Sequence, residues 1–105
     1  MVYEMRVYTL QPGKVPEFQA LIEKEALPVI SKYSKLVGWW STEVGPLNEV
    51  VHIWAYRDHT HMQEAKAQVN ADPDWSGKYV PRVRPLIVAQ KTYVMLSPDF
   101  APQPF

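Results

Sequence analysis

The spacing of apolar residues changes its period several times along the chain, and this constrains the fold more than any other feature of the sequence. Residues 2–10 alternate with period two, which is typical of a strand, and Pro12 and Gly13 end that pattern. A helical stripe of period 3.6 follows, made of Val15, Phe18, Leu21, Ile22, Ala26, Val29 and Ile30. Pro16 suits the first turn of this helix, whereas Pro28 predicts a kink or a restart.

The middle of the chain predicts a β-hairpin. Residues 36–44 and 49–56 are both rich in β-branched and aromatic side chains. The segment that joins them, 45–48, has the sequence GPLN, which is typical of a turn.

Two further helical pieces and a last strand complete the pattern. Asp58 is expected to be the N-cap of a helix over 59–70. A second short helical piece starts at Asp72 and Pro73 and carries the bulky residues Trp75, Tyr79 and Val83; Pro81 and Pro85 are expected to close it. Residues 86–96 predict the last strand.

The resulting order, β-α-β-β-α-β, predicts an α+β fold of the ferredoxin-like sandwich type. Such a fold has a four-stranded antiparallel sheet with helices on one face only. The 105 residues suffice for one domain. We expect that domain over 1–97, followed by a proline-rich C-terminal tail over 98–105.

Strand parity suggests which side chains share a face of the sheet. In the third strand, one face carries Val51, Ile53 and Ala55, and the other carries Val50, His52, Trp54 and Tyr56. Because the first set is small and apolar, we expect it to pack under the helices. The aromatic and polar set would then lie on the helix-free face.

The other strands extend this predicted helix-free face. The matching residues of the first strand are Glu4, Arg6 and Tyr8. In the second strand the residues that face the same way are either Trp39, Ser41 and Glu43 or Trp40 and Thr42. Because this face is so aromatic, we expect a second copy of the chain to cover it across a two-fold axis, which predicts a homodimer. Arg6 would then pair with Glu4 or Glu43, and His52 would need a hydrogen-bond partner.

Composition and charge argue against several classes of partner. Eleven Lys and Arg balance eleven Asp and Glu, which disfavours nucleic acid as a partner. The absence of cysteine excludes disulfides, thiolate zinc sites and a cysteine nucleophile. His59 and His61 are two residues apart and so lie on different helix faces, and we predict neither a metal nor a cofactor. No apolar stretch predicts a membrane span or signal peptide, so a cytoplasmic location is expected.

Three blocks of the sequence carry a family resemblance. They are YEMRVYTLQPGKVPEF at 3–18, LVGWWSTEVGPLNEVVHIWAYRD at 36–58 and ADPDWSGKYVPRVRPLI at 71–87. Together they resemble the NIPSNAP family, and GPLNEVVHIWAY at 45–56 is the most specific part. The resemblance implies a dimeric α/β barrel and no established biochemical activity.

The family's animal members are associated with mitochondria and have been linked to vesicle trafficking and mitochondrial quality control. They carry an N-terminal extension and a second repeat. We therefore expect this chain to be a stand-alone form typical of bacteria, and we do not transfer the animal roles to it. The wider fold superfamily includes heme-degrading and quinone-forming monooxygenases, EthD-like proteins and muconolactone isomerases. This is an analogy of fold, and function does not follow from it.

Two hypotheses of function remain open. The first is a homodimer that binds a small hydrophobic or aromatic molecule or acts as a scaffold, with Tyr8, Trp39, Glu43, Trp54 and Tyr56 as ligand-binding residues. The alternative is a cofactor-free, monooxygenase- or isomerase-like enzyme with His52 as acid/base and Arg6 as anion anchor. Against both stands the possibility that these side chains only stabilise the fold and the dimer.

Overall fold

The computed structural model describes residues 1–105 and contains one antiparallel sheet. Its strands are β1 (Val2–Leu10), β2 (Lys35–Ser41), β3 (Glu49–Tyr56) and β4 (Ile87–Leu96). They lie in the order β2-β3-β1-β4. Because β1 and β3 occupy the middle, each β-α-β unit places another strand between its two strands. The predicted ferredoxin-like sandwich is confirmed.

Helices pack on one face of this sheet in three segments. The first comprises α1 (Val15–Leu21), a π-helical turn (Ile22–Ala26) and α2 (Leu27–Ile30). The second is α3 (His59–Ala71). The third comprises a π-helical turn (Asp74–Tyr79), α4 (Val80–Val83) and a 3-10 turn (Arg84–Leu86). No helix is both long enough and apolar enough to cross a membrane.

Prolines and caps set the helix ends partly as predicted. Pro28 lies in the first turn of α2, directly after a π-helical turn; the hydrogen-bond pattern changes there, but the backbone stays helical and the helix does not restart. The Asp58 carboxylate accepts the His61 backbone N–H at 2.7 Å, which confirms the predicted N-cap. The expectation that Pro81 closes a helix was wrong. It lies in the first turn of α4, where its missing N–H is tolerated, and the helical segment continues to Leu86.

The predicted assignment of the sheet faces was also wrong. Trp54 and Tyr56 are each only 3% exposed and pack with Ala65 of α3, on the face that the helices cover. The register places Glu4 opposite Trp54 and Arg6 opposite His52, so these residues share that face. Leu27, Ile30 and Met62 of the helices pack against the same cluster, so large side chains of the sheet meet both large and small helix residues between the layers.

The helix-free face carries the other parity of each strand. Its members include Met5, Val7, Val51, Ile53, Trp40 and Tyr93. Trp40 is 52% exposed, whereas Trp39 packs under the helices, which decides between the two predicted orientations of β2. The tail over 98–105 contacts one end of this face, where the Tyr3 hydroxyl donates to the Pro102 carbonyl at 3.4 Å.

Candidate functional site

A cavity of about 260 Å³ lies between the sheet and the helices. The sheet contributes Glu4, Arg6, Tyr8, Trp39, His52, Trp54 and Tyr56 to its wall. The helical side contributes mainly apolar residues together with Trp75 and Tyr79. All the residues predicted from sequence to form a site therefore meet here, with one exception. Glu43 is exposed in the loop that follows β2 and lies outside the cavity.

His52 is held by aromatic neighbours on several sides. The Trp54 Nε1–H donates to His52 Nδ1 at 2.7 Å. The Trp39 ring stacks on the imidazole with centroids 4.3 Å apart, and the Tyr8 ring meets it edge-on at 4.9 Å. Because Nδ1 accepts a hydrogen bond, the neutral ring carries its proton on Nε2.

The environment of His52 keeps it uncharged. Burial, together with a smaller effect of the nearby positive charge of Arg6, lowers the pKa of His52 to about 3. The residue is 5% exposed, and its Nε2 is buried without a hydrogen-bond partner. His52 therefore offers the cavity an N–H donor. An acid/base residue at neutral pH needs a pKa much closer to 7.

Three charged side chains form a network at one side of the cavity. The buried Glu4 carboxylate bonds the Lys66 ammonium through Oε2 and lies 3.7 Å from Arg6 through Oε1. The predicted pairing of Arg6 with Glu4 is present. Arg6 also donates from one terminal nitrogen to the Gln90 side chain at 3.3 Å, while its Nε is buried without a partner.

The comparison with known proteins decides the family. The model of the NIPSNAP family matches residues 3–102. The chain belongs to the NIPSNAP family. The human protein NipSnap homolog 3A is 38% identical to it over 79 residues, which are 74% of this chain and 32% of the human protein. This NIPSNAP domain thus spans about a third of the length of the human protein and of its Pongo abelii counterpart.

Solved structures share the whole fold of this NIPSNAP domain. An uncharacterized NIPSNAP domain protein from Burkholderia xenovorans is 37% identical, with a TM-score of 0.93 over 98% of this chain and 100% of that one. SnoaB, a cofactor-independent oxygenase from Streptomyces nogalater, is 17% identical, with a TM-score of 0.67 over 97% of both chains. The likeness to SnoaB concerns the fold alone.

Sequence reasoning missed two contributions that the helices of this NIPSNAP domain make to the cavity. Lys66 lies in α3 between the buried Ala65 and Val69 and lines the cavity. The position of a lysine beside the apolar face of the helix is the sequence feature that could have indicated this role. Tyr79 and Trp75 have ring centroids 4.7 Å apart and were predicted only as bulky helix residues. Their spacing of four places both on one helix face, which could have indicated a shared surface.

The phenols around the cavity stay protonated. Burial raises the pKa values of Tyr8, Tyr56 and Tyr79 above the usual value of a tyrosine. The Tyr56 hydroxyl accepts a hydrogen bond from the Ser34 hydroxyl at 3.2 Å. The site thus combines aromatic walls, neutral hydroxyls and a small charged network.

Proposed function

We propose that this NIPSNAP domain binds a small hydrophobic or aromatic molecule in the cavity between sheet and helices. The observation that carries the proposal is an open volume of about 260 Å³ among aromatic side chains. An engineered cavity of about 150 Å³ in another protein holds benzene, so a bicyclic ring system is the expected size class here. Tyr8, Trp39, Trp54 and Tyr56 form the aromatic wall, and Arg6 is the polar anchor.

The alternative, a cofactor-free enzyme with His52 as general base, has less support. The Nδ1 lone pair of His52 already accepts a hydrogen bond from Trp54, and its Nε2 carries the proton. With a pKa of about 3, the imidazole has little tendency to take a proton from a substrate. We therefore propose that His52 binds a ligand as a donor.

A cavity-filling substitution tests this proposal. Ala26 is 2% exposed and lines the cavity, so Ala26→Leu is expected to reduce binding of naphthalene-sized probes at least about tenfold by occupying their space. Isothermal titration calorimetry with neutral and anionic naphthalene derivatives measures the effect. Ala20→Leu, at an exposed position of α1, is the matched control and should bind like the wild type.

Failure of every probe to bind the wild-type domain would overturn the proposal. So would undiminished affinity in the Ala26→Leu variant, provided that its far-UV circular dichroism shows a native fold.

We further propose that two copies of the chain pack together through the helix-free face. Apolar side chains cover much of it, and both Trp40 and Tyr93 are about half exposed. Contiguous apolar surface of this kind usually belongs to an interface. A formal net charge of zero does not oppose association of identical chains.

Sedimentation equilibrium at a protein concentration of about 10 μM is expected to show a dimer. A specific interface usually has a dissociation constant at or below this concentration. Trp40→Asp should shift the population to monomer, because it places a charge in the apolar contact. Val44→Asp, in a loop residue that is 92% exposed, is the control and should stay dimeric. A folded wild-type monomer of 12.1 kDa at this concentration would contradict the proposal.

A further inference from the structure

We infer that the ligand is a bicyclic aromatic molecule that carries an anionic oxygen, as part of a carboxylate or an enolate. The N–H groups of Arg6, Trp39 and His52 bind that oxygen. This inference rests on the proposed binding function and adds the chemical class of the ligand. It follows from three features of the cavity wall: unpaired donors, the balance of charge and the pairing of its one carboxylate with two cations.

The first feature is a set of unpaired donors. Arg6 Nε, Trp39 Nε1 and His52 Nε2 are buried without a hydrogen-bond partner, and all three side chains line the cavity. Trp39 Nε1 and Arg6 Nε can only donate, and His52 Nε2 donates because Nδ1 already accepts from Trp54. Buried donors are nearly always satisfied in folded proteins, so this wall is suited to a ligand that accepts hydrogen bonds.

The second feature is the balance of charge. The charged side chains of the cavity wall are Arg6, Lys66 and Glu4, which leaves a surplus of one positive charge. His52 adds no charge because it is neutral at pH 7. Hydrogen bonds from a cation to an anionic oxygen are about twice as strong as those between neutral groups. An anionic ligand would therefore balance the charge of the site.

The third feature is that the wall's one carboxylate is already neutralised by two cations. Glu4 Oε2 is bonded to Lys66, and Glu4 Oε1 faces Arg6 at 3.7 Å. His52 Nδ1 is occupied by Trp54. An ammonium group would meet two cations and a carboxylate that they already neutralise, whereas a carboxylate would meet three unpaired N–H groups.

The ring system is inferred from the aromatic surfaces. Trp39 and His52 stack with planes 15° apart, and the Tyr8 ring stands at 84° to the imidazole. Flat and edge-on aromatic faces pack well against a planar ligand. The volume of about 260 Å³ suits two fused rings together with a carboxylate.

The experiment compares three probes of nearly equal shape: 2-naphthoate, 2-naphthamide and 2-methylnaphthalene. Calorimetry at pH 7 is expected to show 2-naphthoate binding about 10-fold or more tightly than the two neutral probes. Arg6→Gln should weaken 2-naphthoate by a similar factor and leave 2-methylnaphthalene within about twofold. Arg82→Gln removes the same charge outside the cavity, from a residue that pairs with Glu25, and should bind like the wild type.

Trp39→Phe is the second variant, since it keeps an aromatic ring beside His52 and removes only one donor. It should lower affinity for 2-naphthoate more than for 2-methylnaphthalene, and it keeps the inference testable if Arg6→Gln does not fold.

The outcomes separate the inference from the proposed function. Equal affinity for the anionic and neutral probes would overturn the inference and leave the proposed function standing. Equal losses for both probes in the Arg6→Gln and Trp39→Phe variants would also overturn it. Absence of binding by all three probes would overturn both.

Discussion

Trp54→Ala is expected to lower the free energy of unfolding by about 3–5 kcal/mol, the usual range for truncating a fully buried aromatic side chain. Trp54 is 3% exposed, packs against the helices from the middle of the sheet and donates its indole N–H to His52. The substitution removes this packing and leaves His52 Nδ1 unpaired. For a domain of this size the melting temperature should fall by at least about 10 °C, measurable by circular dichroism.

Trp54→Phe separates the two contributions to this loss. It keeps most of the ring and removes the donor, so a smaller loss of about 1–3 kcal/mol is expected from the unpaired imidazole nitrogen. Trp40→Phe makes the same chemical change on the helix-free face and should change the stability of the domain much less. An unaltered melting temperature in the Trp54→Ala variant would contradict the placement of Trp54 in the core.

Acidification from pH 7 to pH 5 is expected to destabilise the domain by about 2 kcal/mol through His52 alone. The pKa of His52 is about 3 in the folded protein and 6.5 for an ordinary histidine. Between these values the unfolded chain binds a proton that the folded domain does not. The free energy of unfolding therefore keeps its neutral-pH value above pH 6.5. Between the two pKa values it falls by about 1.4 kcal/mol for each pH unit of acidification.

Urea denaturation at several pH values between 7 and 5 measures this dependence. His52→Gln should flatten it, because the amide does not titrate, although the variant is less stable at every pH. His59→Gln, at an exposed position at the start of α3, should keep the wild-type dependence and serves as the control. A His52→Gln variant with an unchanged dependence on pH would show that another group is responsible.

Much of the local structure was predictable because it depends on neighbouring residues. Changes of apolar period located the four strands, and Asp58 has the side chain that caps a helix from its own N-terminus. Errors arose at segment ends. The second strand ends at Ser41, three residues before the predicted Val44. The Thr42 N–H still bonds to the Glu49 carbonyl, and residues 43–48 then form the bend and turn that lead into β3.

The strand residues of the candidate site were predictable from the sequence, but the side of the sheet on which they lie was not. Parity grouped Glu4, Arg6 and Tyr8 with His52, Trp54 and Tyr56, and these residues do share one cavity wall. The side of the sheet was wrong, since small residues were assumed to lie under the helices. Glu43 was included on parity alone, although β2 ends before it and its side chain leaves the sheet.

The sequence by itself therefore determined the order of elements, the strand parity and the family resemblance, because each depends on residues that are near one another in the chain. Only the tertiary structure decided which face the helices cover, since that depends on whether side chains from distant segments fill the same gap. Trp54 packs there against Ala65 together with Leu27, Ile30 and Met62, which come from two separate helical segments. The same packing leaves a cavity and turns His52 into a neutral donor, because burial and the indole of Trp54 act on it together.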